Sequence, residues 1–187
     1  MPKTLNNTWT LFLDRDGVIN LEKADDYIHH RDEFLFYPGV PEAISKLSHL
    51  FRYIIVVTNQ KGIGKGVTNE NEVIRMHEYM VGRIVLEGGR IDGIYYCPDI
   101  DEASPCRKPN PGMAFKARED FPEIDFEKSI MVGNNLSDLQ FGRNAGMKTA
   151  FLRTTKPGLE LPEGMADFES PHLPALADTL ASLFVDC

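Results

Sequence analysis

Short apolar runs recur along the chain, and stretches with helical spacing separate them. The runs are WTLFL (Trp9–Leu13), YIIVVT (Tyr53–Thr58), GIYYC (Gly93–Cys97), SIMVG (Ser129–Gly133) and TAFLR (Thr149–Arg153). Most are apolar without alternation, as a strand buried on both faces requires. Between them Pro41–Leu50, Asn69–Glu87, Pro111–Glu119 and Leu136–Ala145 carry helix-compatible spacing, and Pro174–Phe184 reads as a last helix covering the sheet. In the second of these, Val73, Met76, Met80, Ile84 and Val85 fall at roughly three- and four-residue steps, forming an apolar stripe. Alternating strands and helices predict an α/β fold: a Rossmann-like parallel sheet with right-handed crossovers and helices on both faces. No repeat, linker or inserted cap interrupts the 187 residues, so one domain over 1–187 is expected.

Charge narrows the partners. A net charge of −8 argues against a nucleic-acid or anionic-membrane surface, either of which needs a basic face. A small phosphorylated substrate remains open, because a few local cations suffice for one pocket. The three cysteines, Cys97, Cys106 and Cys187, are too few for a disulfide framework, and Cys97 and Cys106 read as reduced thiols. With no signal-peptide pattern and no apolar segment of membrane-spanning length, the expectation is a cytoplasmic protein. No exposed apolar stripe calls for a partner, so a monomer is expected.

In open parallel sheets, ligands bind beyond the carboxyl ends of the strands. The first strand ends in Asp14-Arg15-Asp16-Gly17, and the i, i+2 spacing sends both carboxylates to one side. The second ends in Thr58-Asn59-Gln60, followed by KGIGKG (Lys61–Gly66). The loop after the third closes on Arg107-Lys108-Pro109, and GNNLSD (Gly133–Asp138) follows the fourth. Two carboxylates, a hydroxyl, an amide, two cations and a further carboxylate suit phosphoryl transfer. A carboxylate attacks phosphorus. Positive charge from Mg²⁺ and Lys108 offsets the repulsion between two anions. The second carboxylate handles protons. KGIGKG lacks the spacing of a nucleotide P-loop and reads as a flexible loop in the pocket wall. The Asp25–Phe36 loop is long enough to shape a pocket, whereas His29 and His30 within it fit no metal spacing and read as exposed.

DRDGVIN, VVTNQ, RKPNPGM and MVGNNLSD, in that order at those strand ends, resemble the four motifs of the haloacid dehalogenase superfamily. TNQKGIGKG, DGIYYCP and CRKPNPGM narrow the resemblance to its bacterial heptose 1,7-bisphosphate phosphatases, with histidinol-phosphate phosphatases as near relatives. The similarity runs from about Leu11 to Arg153. It implies Asp14 as nucleophile and metal ligand, and Asp16 as general acid/base with its main-chain carbonyl on Mg²⁺. Thr58 and Lys108 would hold the phosphoryl group, and Arg15, Asn59, Gln60 and Arg107 would contribute to the substrate pocket. The implied substrate is a heptose bisphosphate or similar sugar bisphosphate, with histidinol phosphate or another small phosphate as the alternative.

Two departures stand out. Relatives carry an aspartate directly after the glycine of the fourth motif, as a Mg²⁺ ligand; here the residue is Asn134. The lost charge matters on a scale of about 4 kcal/mol for unit charges 4 Å apart at an effective dielectric of 20. Weaker Mg²⁺ binding follows, and a weakened phosphate-binding or regulatory protein becomes the rival of another class. Asp138 either compensates as a water-mediated metal ligand or orients Lys108. The relatives also hold a structural zinc through Cys-x-His and Cys-x-Cys. Here Asp99 and Ser104 replace two of those ligands beside Cys97 and Cys106, so structural Zn²⁺ is not expected.

Overall fold

A computed structural model describes residues 5–23 and 26–184. Cys187 and Asp25, the first residue of the Asp25–Phe36 loop, lie outside the described residues. Six parallel strands form one sheet in the order β3-β2-β1-β4-β5-β6. They are β1 (Thr10–Leu13), β2 (Tyr53–Asn59), β3 (Gly93–Cys97), β4 (Ser129–Gly133), β5 (Lys148–Leu152) and β6 (Phe168–Ser170). The helices are α1 (Val40–Ser48), α2 (Lys61–Gly64), α3 (Glu70–Leu86), α4 (Gly112–Asp120), α5 (Leu136–Ala145) and α6 (Leu173–Leu183).

Continuous apolar runs make sense in the two cores. Leu11 and Leu13 pack with Ile54, Val56, Ile130 and Val132 on the face covered by α1, α3 and α6. Phe12 points the other way, into a second core with Ile55, Val57 and Met131 beneath α4 and α5. The chain winds outward from β1 through β2 to β3, then crosses back to β4, β5 and β6. The switch point of this doubly wound sheet therefore lies beside β1, whose last residue, Leu13, pairs with both Val56 and Val132. Among the described residues, no helix is long and apolar enough to cross a membrane.

Three expectations need correction. Strand β6 was not foreseen. It is three residues long, lies at the sheet edge, and exposes Glu169 between its neighbours, so no apolar run announces it. The buried face of α3 consists of Val73, Met76, His77, Met80 and Ile84, whereas Val85 is 55% exposed. Its position, one 100° step past Ile84, carries it off the stripe. KGIGKG is not a loose loop: α2 occupies its first four residues. A Cβ on Gly64 would stand 2.4 Å from the carbonyl oxygen of Pro98, so glycine is what lets α2 approach the strand that ends at Cys97.

Candidate active site

All four strand ends converge on one cleft of about 510 Å³, within the usual range of small-molecule pockets. Among the described residues its wall carries six cations (Arg15, Lys23, Lys61, Lys65, Arg107 and Lys108) and five acids (Asp14, Asp16, Glu22, Asp26 and Asp138). A chain of net charge −8 thus gathers enough positive charge in one place to hold a small anion.

At the floor of the cleft, Asp14 follows β1, its N–H donating to Val132 O at 2.9 Å, which fixes the carboxylate at the switch point. Lys108 enters from the loop after β3. Its ammonium donates to Asp14 Oδ1 at 2.8 Å and to Val57 O at 3.0 Å, and lies 2.7 Å from Asp138 Oδ1. All three side chains are buried. Burial pushes Asp14 up to about 7; the Lys108 charge opposes this and Asp138 adds to it. The same two carboxylates raise Lys108 against its own desolvation, so its ammonium stays charged.

Asp138 makes the contact with Lys108 that one of its two expected roles requires. Oδ1 faces Lys108, while Oδ2 accepts from the main-chain N–H groups of Asn134 (3.2 Å) and Asn135 (3.0 Å) as part of the α5 capping box. Both oxygens thus contact protein groups, orienting Lys108 and closing the helix start. Asn134 is fully buried. Its Nδ2 donates to Glu22 Oε2 at 3.0 Å and to Thr155 Oγ1 at 2.8 Å. Gly17, at φ 83°, leaves room for it: a Cβ there would meet Asn134 Nδ2 at 2.0 Å.

Asp16 is held by four donor groups. Arg15 Nη2 reaches both of its oxygens at 2.9 Å, Arg15 Nε reaches Oδ1 at 3.3 Å, and Asn20 Nδ2 and Gln60 Nε2 each donate at 2.9 Å. Although burial works against ionisation, the Arg15 charge and these hydrogen bonds keep the carboxyl below its ordinary range. Thr58, 1% exposed, accepts from Gln60 Nε2 at 2.9 Å.

Three residues expected at the substrate, Arg15, Asn59 and Gln60, line the cleft while their hydrogen bonds go to protein groups. Arg15 is 1% exposed, and its guanidinium is used on Asp16 and on His77 Nε2 at 3.1 Å. Gln60 bridges Asp16 and Thr58. Asn59 clamps the backbone of Lys108, donating to its carbonyl at 3.2 Å and accepting from its N–H at 3.0 Å. Arg107 also lines the cleft and donates to Asp99 O at 3.2 Å. Tyr27 and Ile28 of the Asp25–Phe36 loop also line it, as expected of a loop that shapes a pocket, while His29 and His30 border a separate depression. Lys61 and Lys65 line the cleft as expected of KGIGKG in the pocket wall, whereas Glu22, Asn20 and His77 went unnoticed in the sequence. Only His77 carried a signal there, one polar residue on the apolar face of α3.

Cys97 and Cys106 also differ from expectation: they form a disulfide rather than two free thiols. The turns of residues 98–105 fold the loop back, so that Cys106 lands beside Cys97 at the end of β3. Ligand atoms of Cys97, Asp99 and Cys106 lie within 4.8 Å of one another, and Ser104 hydrogen-bonds Asp99. The ligand-type atoms of this loop therefore converge at the end of β3, where the two sulfurs are covalently linked.

Carboxylate and carbonyl oxygens are what a hard divalent cation takes; of the expected donors, Asp14 and Asp16 line the cleft, while Asn134 Oδ1 accepts from Asn135 Nδ2 at 3.3 Å. Burial raises Asp14 despite Lys108 at 2.8 Å, with Asp138 and Asp16 adding to the push.

A doubly wound sheet with a buried carboxylate–lysine centre at its switch point is the architecture of haloacid-dehalogenase-type phosphatases. The HAD-hydrolase-like family profile matches residues 105–182. The chain is 42% identical over 150 residues to D-glycero-alpha-D-manno-heptose-1,7-bisphosphate 7-phosphatase of Burkholderia mallei, covering 76% of this chain and 78% of that one. It is 40% identical over 165 residues to the Vibrio cholerae D-glycero-beta-D-manno-heptose-1,7-bisphosphate 7-phosphatase, covering 83% and 87%. The crystal structure of D,D-heptose 1,7-bisphosphate phosphatase from B. bronchiseptica, complexed with magnesium and phosphate, superposes with a TM-score of 0.83. It is 30% identical, with 93% of this chain and 98% of that chain covered. The chain belongs to the heptose-bisphosphate phosphatase family of haloacid-dehalogenase-like hydrolases, and it is a phosphatase.

Proposed function

We propose that the chain hydrolyses a phosphomonoester of a sugar bisphosphate, most plainly D-glycero-D-manno-heptose 1,7-bisphosphate, through a phosphoaspartate on Asp14. The observation that carries this reading is Lys108, buried and bonded to Asp14 on the cleft floor with Thr58 alongside. The relatives' activities support the substrate. The two quoted above differ in anomer, and the anomeric preference stays open.

Lys108 engages Asp14 Oδ1, which leaves the other carboxylate oxygen to attack phosphorus as the bond to the leaving oxygen breaks. Lys108 and the Thr58 hydroxyl stabilise charge on the transferring group. Asp16 gives its proton to the departing alkoxide, then takes one from the water that attacks the phosphoaspartate, returning Asp14 and releasing phosphate. The hydrogen bonds around Asp16 hold it ionised, so it acquires its proton as the dianionic substrate arrives and raises its affinity for one. Asp14, the Asp16 carbonyl and Asn134 would hold Mg²⁺, which supplies further positive charge to the phosphoryl oxygens.

Phosphate release from a panel of sugar, amino-alcohol and nucleotide phosphates across a Mg²⁺ titration tests the reading, with Asp14→Asn as blank. Mg²⁺-dependent turnover, highest on the heptose bisphosphate and absent from the blank, is expected. Preference for another phosphate would discard the substrate, and no release above the blank would discard the activity.

A further inference from the structure

We propose that His77 is a positioning residue: it holds the Arg15 guanidinium in the orientation that grips Asp16. This rests on the reading of Asp16 as the general acid/base. His77 comes from the buried face of α3, between Met76 and Met80, where an apolar side chain would pack at lower desolvation cost. What an imidazole adds there is an acceptor. Arg15 points Nε and Nη2 at Asp16, and Nη1 is left to face the interior, where His77 Nε2 receives it at 3.1 Å. Arg15 is 1% exposed and His77 6%, so water does not readily substitute. Phe34 flanks the guanidinium, its ring centroid 5.9 Å from Cζ.

The geometry fixes the state of the ring. Since Nη1 donates, Nε2 must be unprotonated and the ring proton sits on Nδ1. Burial and the Arg15 charge both oppose an imidazolium and press His77 down to about 3, so it stays an acceptor wherever the protein is folded and working. Tyr96 packs on the ring with centroids 5.8 Å apart, and its hydroxyl donates to Glu70 Oε1 at 2.8 Å. A continuous path thus leads from Glu70 at the head of α3, through Tyr96 and His77, to Arg15 and Asp16. Asp14, Arg15 and Glu22 are the charged groups facing Asp16; Arg15 and Asp16 are those facing His77.

Removing the acceptor leaves a buried N–H without a partner. The guanidinium then rotates to find another, and the fork on Asp16 opens. A residue that only filled space would behave differently: its loss would lower stability without selecting kcat.

His77→Leu and His77→Gln separate the two cases, because Gln Oε1 can accept from Nη1. Steady-state phosphate release should show kcat reduced roughly 10–100-fold in His77→Leu with KM little changed, and most of the loss recovered in His77→Gln. NMR of the Arg15 guanidinium supplies a readout independent of turnover. Separate Nη–H signals, from a group whose rotation is blocked, are expected in the parent and in His77→Gln, and averaged signals in His77→Leu. If His77→Leu does not fold, Arg15→Lys takes its place, since it keeps the charge but loses the fork; a kcat-selective loss of the same size is expected. Equal losses in Leu and Gln variants, an effect confined to KM, or unchanged guanidinium signals would overturn the proposal. Asp16→Asn run alongside separates the two levels: turnover surviving that change refutes the acid/base reading itself. Turnover abolished there but untouched in His77→Leu refutes only the role of His77.

Discussion

Replacing Lys108 by Met keeps the length of the side chain and removes the only ammonium between two buried carboxylates. At 2.8 Å from Asp14 and 2.7 Å from Asp138, each contact carries a gross Coulomb attraction of about 6 kcal/mol at an effective dielectric of 20. Desolvation of three charges offsets most of that in the intact triad, so the triad adds little net stability. Removing one member is another matter, because the two carboxylates stay buried without compensation, at a cost of about 3–5 kcal/mol. Urea unfolding in EDTA at pH 7.5 measures the loss without a metal standing in for the ammonium. The sign of the pH dependence follows. Without Lys108, the influences that remain on Asp14, burial and Asp138, all raise it, so the folded variant binds protons that the unfolded chain gives up. Its stability is therefore lost as pH rises through the raised value, which lies above the parent's value of about 7, so the deficit should shrink as pH falls from 9 toward 7. The double variant Lys108→Met/Asp138→Asn, which removes one stranded charge while keeping the helix cap, should regain at least half the loss and none of the turnover. A deficit below about 1 kcal/mol, or one that does not change with pH, would refute the reasoning.

Asn134→Asp introduces a carboxylate but places it against Glu22, 3.0 Å from the present amide; the single variant should gain little Mg²⁺ affinity and Asn134→Asp/Glu22→Gln considerably more, by calorimetric titration. Gly64→Ala drives a Cβ to within 2.4 Å of the Pro98 carbonyl, which should cost roughly 1–3 kcal/mol in unfolding free energy and raise KM as Lys61 and Lys65 shift. Cys106→Ser opens a link between residues nine apart in sequence and should lower stability by about 2.5 kcal/mol, measured by denaturation under non-reducing conditions.

The sheet was legible because β1, β2 and β4 are buried on both faces and carry unbroken apolar runs at Leu11–Leu13, Ile54–Val57 and Ile130–Val132. The cleft was legible because a parallel sheet places its chemistry at strand ends, and Asp14, Asp16, Thr58 and Lys108 fall there. What the sequence concealed is which polar atoms use one another up. Asn59, Gln60 and Arg15 stand beside the reacting groups in the chain, yet their hydrogen bonds go to Lys108, Asp16, Thr58 and His77. The Glu22–Asn134 contact spans 112 residues and His77–Arg15 spans 62, separations at which no local pattern gives a signal. Strand β6 escaped for the opposite reason, since three residues at an edge are too short to show a period.

The central claim is that phosphate passes through Asp14. Borohydride reduction during turnover converts an aspartyl phosphate to homoserine, and peptide mass spectrometry locates it. Homoserine at position 14, dependent on substrate and absent when substrate is omitted, is the expected result. Turnover with residue 14 unmodified, or turnover that persists in Asp14→Asn, would contradict it.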